Sequence, residues 1–176
     1  GPGFTQEYTN EIRKFLIEYD QDVPLVKNYS AIKDTVNLHR RDYNLVPQVF
    51  KNNELGYTMF SGVFQYQEDI PFTNFVDING GSYTVNNSFS QKYSHYHNAV
   101  LPLYDNTTGT MFSIFFGGIA RYYPDKNGKT VDNKEVPFTK TISVVIRKDE
   151  KEEEIFLPIQ MPGYLGAAAE FIFMPD

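Results

Sequence analysis

Arg41-Asp42-Tyr43-Asn44-Leu45-Val46-Pro47-Gln48-Val49-Phe50, followed by Gly56-Tyr57-Thr58-Met59-Phe60-Ser61-Gly62, reads against His95-Tyr96-His97-Asn98-Ala99-Val100-Leu101-Pro102-Leu103-Tyr104, followed by Gly109-Thr110-Met111-Phe112-Ser113. Each stretch has an asparagine, an apolar run and a proline, then a glycine and Thr-Met-Phe-Ser. Self-similarity of this kind marks a repeat architecture. In such an architecture strand sequences are kept while loop lengths vary, because lengthening a surface loop has a small entropic cost.

Working outward, Phe-Thr recurs at Phe4-Thr5, Phe72-Thr73 and Phe138-Thr139, preceded by Pro71 and Pro137 in the last two cases. Each opens a run with strand character. The expected units are 4–71, 72–137 and an incomplete 138–176, all in one repeat domain. Gly1-Pro2-Gly3 reads as the remnant of a cleaved expression tag. The aligned asparagine–proline strands and Met59-Phe60-Ser61 and Met111-Phe112-Ser113 should then follow equivalent backbone paths. Phe60, Val63, Phe112, Phe115, Ile119, Val46, Val100, Leu101, Ile142 and Val144 are expected in the core.

Local patterns agree with short strands and turns. Glu11 to Tyr19 has both helical and strand character. The repeat assigns Ile12 to Tyr19 to a strand, with a turn at Asp20-Gln21-Asp22 and a partner at Val23 to Val26. Ser30 to Asp34 reads as a loop or short helical turn. Asn79-Gly80-Gly81 is a hairpin signal. Gly117-Gly118 inside an apolar run predicts a bulge or a close backbone approach. Lys148 to Glu153 reads as a solvated hairpin tip, and 167–174 as a last strand.

Composition agrees. The chain has 176 residues, 41% hydrophobic, with 15 Phe and 13 Tyr but no Trp. These aromatics, with Val, Ile and Thr, suit a pleated, half-buried surface. A formal charge of −6 argues against nonspecific nucleic-acid binding, which needs a basic face. The absence of cysteine excludes disulfides, thiolate metal sites and a cysteine nucleophile. No apolar run approaches the ~20 residues that span a bilayer.

The apolar strand ending in Phe115-Phe116-Gly117-Gly118-Ile119, with Tyr122-Tyr123 downstream, resembles the kelch-type repeat of β-propellers. Ser61-Gly62 stands where the first unit would carry the glycine pair. The resemblance implies an all-β fold of consecutive antiparallel sheets, a partial kelch-like propeller whose further blades come from a longer chain or from self-association. The Asn- and Tyr-rich style is also similar to secreted and surface proteins of Bacteroidetes. Asp34-Thr35-Val36 resembles their short O-glycosylation acceptor. That likeness implies an extracellular, periplasmic or outer-surface location, with the signal peptide removed.

Few residues carry recognisable chemistry. His95-Tyr96-His97 places two imidazoles on one strand face, but no carboxylate follows at cupin spacing, so a polar structural role is expected and no metal. Asp125 to Glu135 departs from the EF-hand template and reads as a turn. No nucleophile elbow or phosphate-binding loop is present, and no cofactor is expected. The best binding candidates are Tyr83, Asn86, Asn87, Tyr93, Tyr96 and Asn98 in the stretch 82–98. Tyr supplies rigid contact area and a hydroxyl, and Asn adaptable hydrogen bonds. The competing reading of the same stretch is a connecting loop with Tyr anchors. The functional expectation is a noncatalytic surface or secreted module that binds a protein or glycan. The alternative is a propeller-type glycan-processing enzyme with catalytic carboxylates partly outside this chain. A cupin-like metal enzyme ranks third.

Overall fold

The computed structural model describes residue 3 and residues 7–96, 98–164 and 169–174. Among them the regular elements are fourteen strands and one short 3-10 turn at Lys51–Asn53. β1 (Glu11–Asp20) and β2 (Val23–Lys33) form a hairpin. β3 (Asn44–Val49), β4 (Leu55–Phe60), β5 (Phe75–Asn79) and β6 (Ser82–Asn86) form a four-stranded antiparallel meander in chain order. A second meander follows. It contains β8 (Ala99–Asp105), β9 (Thr110–Phe116), β13 (Thr141–Lys148) and β14 (Lys151–Gln160). The short pair β7 (His95–Tyr96) and β10 (Ile119–Ala120), and the hairpin of β11 (Tyr122–Pro124) and β12 (Thr130–Asp132), flank the second sheet. The fold is therefore all-β and built from antiparallel sheets. The sheets span 44–86 and 99–160, so the sequence units cut each sheet between its second and third strands.

Pairing fixes which residues are equivalent. Pro47 lies opposite Tyr57, and Pro102 opposite Ser113. Counting from these pairs, Met59-Phe60-Ser61-Gly62 corresponds to Phe115-Phe116-Gly117-Gly118, and not to the run beginning at Met111. The β8–β9 hairpin pairs one residue further beyond its proline, to Asp105 and Thr110, which carries Thr-Met-Phe-Ser towards the turn. The backbone confirms the shift. Ser61 and Gly62 have φ of 57° and 92°, and Gly117 and Gly118 have 60° and 88°.

The same left-handed pair ends both strands and turns the chain away from its sheet. The amide of Phe72 donates to Gly62 O at 2.8 Å, and that of Thr139 to Gly118 O at 2.9 Å. Pro-Phe-Thr is thus one residue out of step between the sheets, which explains why Phe72 is buried while Phe138 is 53% exposed. Phe4-Thr5 lies outside the described residues.

A third set of equivalences reaches the hairpin. The amides of Asp34, Gln91 and Met161 donate to the carbonyls of Asn10, Thr73 and Lys140 at 3.0, 2.8 and 2.8 Å. Each bond closes a strand pair at its base: β1–β2, β5–β6 and β13–β14. The hairpin therefore occupies the place of the outer half of a sheet, and β2 runs on to Lys33 through the region read as a loop. Strand pairing carries Ser30 to Lys33 because Ser30, Ala31, Ile32 and Lys33 all find partners on β1. Of the last expected strand, 167–168 lie outside the described residues and 169–174 have no strand pairing.

The layers pack face to face. Val46, Phe60 and Phe75 of the first sheet meet Phe115 and Val145 of the second. Leu38, Met59 and Val76, on the opposite face of the first sheet, pack with Ile12 of the hairpin. Alternation along each strand thus feeds two interfaces at once. Phe60, Phe115, Val46, Ile142 and Val144 are buried as expected. Val63, Phe112, Ile119, Val100 and Leu101 are only half-buried. Val100 and Pro102 line an open groove of about 390 Å³, together with residues of β3 and with Ala169 and Phe171.

Ser61 is the one non-glycine among the four left-handed positions, and its buried hydroxyl has no hydrogen-bond partner. A side chain at positive φ and an unpaired buried hydroxyl are each destabilising, by about 1 kcal/mol or more. Gly in that place loses roughly 0.5–1 kcal/mol of chain entropy. Ser61→Gly is therefore expected to stabilise the protein by about 1 kcal/mol, read as a higher urea midpoint with unchanged slope.

Candidate functional site

Among the described residues, two groups of polar side chains stand out: one locked inside the layers and one lining a cleft. The locked set begins with a repeated device. Arg40 is buried and donates to the carbonyls of Ser61 at 2.9 Å, Asn74 at 3.1 Å and Asn37 at 2.7 Å, and to Asn74 Oδ1 at 2.7 Å. Its guanidinium also stacks on Phe72 at 4.0 Å. His95 holds the equivalent place in the second sheet. It bonds the matching carbonyl, Gly117 O, through Nδ1 at 2.9 Å and Ser143 Oγ through Nε2 at 2.7 Å. Arg40 is its counterpart, because the bridges Arg41–Val63 and Tyr96–Ile119 set the two segments in alignment.

Burial drives the His95 pKa well below its ordinary value, with the Gly117 bond opposing in part. The ring is therefore neutral, with Nδ1–H donating to Gly117 and Nε2 accepting from Ser143. His97 lies outside the described residues. Among the described residues no group of three or more His, Cys, Asp or Glu is placed to hold a metal, and no helix is long and apolar enough to cross a membrane.

Three of the sequence candidates belong to this interior. Tyr93 is fully buried, hydrogen-bonds Thr139 Oγ1 and packs against His95 and Phe156. Burial raises its pKa to about 12. Tyr96 and Asn98 are buried as well, and burial raises the Tyr96 pKa further. These are anchors, as the loop reading of 82–98 had it for its tyrosines. Asn87 is exposed and accepts from Asn74 Nδ2 at 2.7 Å. Tyr83 and Asn86 are elsewhere, on β6: Asn86 faces the cleft, whereas the Tyr83 side chain packs on the opposite face of the first sheet beside Leu38, Met59 and Val76. The structure thus does not bring the six together.

The cleft, of about 710 Å³, opens between the first and second sheets. Its volume falls in the range of small-ligand sites. Asp77 from β5, Arg147 from β13 and Glu152 from β14 lie at its base. Arg147 Nη2 donates to both oxygens of Asp77 at 2.8 and 3.0 Å, and Nε donates to Glu152 Oε1 at 3.2 Å. Thr58 also donates to Asp77, and Asn86 Nδ2 donates to Glu152 at 3.3 Å. Around the rim stand Asn52, Asn79, Ser82, Thr84 and Tyr104, with the charged Lys51, Glu54, Lys148, Asp149 and Glu150. Tyr83 OH donates to Asp34 at 2.8 Å, which raises its own pKa. Desolvation opposes ionisation of Asp34, yet hydrogen bonds from Asn37, Tyr83 and Val36 outweigh it and hold its pKa at about 2.

Arg147 and its two carboxylates carried no signal in the sequence. Asp77 reads there as one residue of a strand before a turn, and Glu152 as one of a charged hairpin tip. Their convergence needs the two sheets to be stacked in register.

Glu154 is the other unusual carboxylate. It accepts from the backbone amides of Lys92 at 2.5 Å and Tyr93 at 3.2 Å, fastening the chain that leads into the second sheet onto β14. Burial lifts its pKa from 4.5 to about 7, against the pull of those amides and of Lys92. A carboxyl raised in the folded state stabilises below its unfolded pKa and loses that contribution as pH rises through the folded one. The Glu154→Gln variant should therefore lack a stability change that the parent shows between pH 4.5 and 7. The parent should lose on the order of 3 kcal/mol relative to the variant over that window, at 1.4 kcal/mol per pKa unit. His95 has the opposite sign, losing stability as pH falls below 6.5, so only the difference between parent and variant isolates Glu154. Urea unfolding at stepped pH measures it; parallel curves would contradict the assignment.

Compared with known proteins, the chain matches no family model, no curated protein and no solved structure.

Proposed function

We propose that this chain is a noncatalytic interaction module, built from consecutive propeller-like blades, that binds a polar protein segment or a glycan in the cleft between its two sheets. The observation that carries this reading is the state of the carboxylates at the cleft base. Asp77 and Glu152 both accept charge-assisted bonds from Arg147, so neither is held free for chemistry, and the exposed Asn52 and Thr84 at the rim are placed to meet a ligand. A glycoside hydrolase needs two carboxyl groups poised on either side of a bond, one to deliver a proton and one to attack or activate water. Here both are fixed to one guanidinium, so recognition is favoured over turnover. A rim that mixes amides, hydroxyls and Tyr104 with charges of both signs suits polar ligands such as sugars and peptide backbones. A surface or secreted location accords with this role, and Thr35 of the Asp34-Thr35-Val36 stretch is exposed in its turn.

The test is a glycan array and a peptide array probed with the parent and with Asn52→Ala and Thr84→Ala, two exposed rim changes that leave the packed layers intact. A ligand whose affinity falls at least tenfold in either variant supports the cleft. A ligand indifferent to both moves the site elsewhere. Polysaccharide cleavage abolished by Asp77→Asn would replace the module reading with the enzymatic one.

A further inference from the structure

The hairpin β1–β2 stands where the outer half of a sheet stands in the two complete meanders. In those sheets the inner edge of the corresponding strand is covered, β5 by β4 and β13 by β9. Beside β1 that place is empty among the described residues, since β1 pairs only with β2. β1 therefore has the character of a central strand with one edge open. Its sequence agrees. Edge strands are commonly blunted by proline or by shortness. Pro47, Pro102, Pro158, Pro24 and Pro124 lie on β3, β8, β14, β2 and β11, while β6, β7, β10 and β12 have five residues or fewer. β1 has ten residues and no proline.

Beyond Ile12 and Lys14, whose ammonium reaches Gly81 in the β5–β6 turn, the hairpin projects, and Phe15, Leu16, Ile17 and Tyr19 of β1 are 45, 52, 56 and 73% exposed. A long, unguarded edge carrying an apolar run is a strand-pairing site.

We infer that this edge pairs with β1 of a second copy of the chain, joining the two hairpins into one four-stranded antiparallel sheet, β2-β1-β1-β2, about a two-fold axis. The pattern along β1 selects this occupant. Antiparallel pairing centred on Leu16 sets Lys14 opposite Glu18 of the second copy, which also pairs with Lys27 of its own hairpin at 2.8 Å, Phe15 opposite Ile17, Leu16 opposite itself and Arg13 opposite Tyr19. Opposite charges and apolar pairs across strands stabilise such a ladder, and like charges there oppose it. A two-fold interface also closes on itself, because the same patch serves both partners. The interaction is independent of the cleft proposed above, which lies between the two complete sheets.

Sedimentation equilibrium over micromolar concentrations tests it, with circular dichroism to confirm that each variant folds. The parent should dimerise. Lys14→Glu and Glu18→Lys each place like charges opposite one another and should raise the dimer Kd at least tenfold. The double change K14E/E18K restores opposite charges and should bring Kd back to within threefold of the parent. Hydrogen exchange should show β1 amides gaining protection with concentration. A parent that stays monomeric, or a dimer indifferent to the single changes, overturns the proposal. So does a dimer that both single changes weaken but the double change fails to restore.

Discussion

Arg147→Ala is expected to destabilise the protein by about 3–5 kcal/mol, the range for removing one member of a buried ion pair. The guanidinium side chain is 11% exposed and that of Glu152 is 7%. Arg147 belongs to the second sheet and Asp77 to the first, so the bidentate pair ties the layers together across their interface. Thr58 Oγ1 and Gln48 Oε1 accept further bonds at 3.3 and 3.4 Å, and the rings of Phe50 and Phe75 lie 4.9 and 5.2 Å from Cζ. Truncation leaves Asp77 and Glu152 facing each other without a cation. Arg147→Lys keeps the charge but has no planar fork to serve both carboxylates, and should recover less than half of the loss. Urea unfolding followed by circular dichroism measures both. A loss under 1 kcal/mol for the alanine variant would mean that the pair is a solvated surface contact.

Phe115→Ala should cost a similar amount, about 3–5 kcal/mol. Its side chain is fully buried, with the Phe60 ring at 5.2 Å edge-on and the His95 ring stacked at 5.0 Å. It thus joins the interface between sheets to the buried polar device behind it. Phe112→Ala, three residues earlier on the same strand, should cost clearly less because that residue is half-buried. The comparison discriminates between two alignments of the repeat. The sequence match sets Phe112 against Phe60 as twin core residues, whereas the strand pairing sets Phe112 against Gly56, near the turn, and Phe115 against the buried Met59. Equal losses at the two positions would restore the sequence alignment.

The all-β class and several turns were legible because they rest on local pattern, glycine and asparagine at turns and alternating apolar residues between them, whereas the end of β2 depends on its pairing with β1. Asn79-Gly80-Gly81 and the 148–153 tip turn where they were expected to. Ser61-Gly62 was correctly matched to Gly117-Gly118, since backbone shape there demands small residues. The register between sheets was less legible. Thr-Met-Phe-Ser is a conspicuous string in letters, yet strands of different length carry it to different depths, and only the paired prolines reveal the slip. Tyr93, Tyr96 and Asn98 looked like a binding surface because tyrosine and asparagine serve equally as contact residues and as buried anchors. Composition cannot separate those roles; enclosure by Phe156, Thr139 and His95 does. The cleft rests on residues far apart in the chain, and no local signal announces such a meeting.

The carbonyl at each left-handed turn is gripped by a different chemical group, a guanidinium in one sheet and an uncharged imidazole in the other. The two grips fail under different conditions. Arg40 keeps its donors in acid, so the first turn is indifferent to acidification. When His95 finally takes up a proton, Nε2 becomes a second donor and can no longer accept from Ser143, and a charge appears in a site with no carboxylate bonded to it. Acid therefore loosens the repeat from one side. Nδ1–H still donates to Gly117 O, so acid acts on the second grip by burying a charge rather than by breaking its bond, and only one of the two near-copies carries that cost.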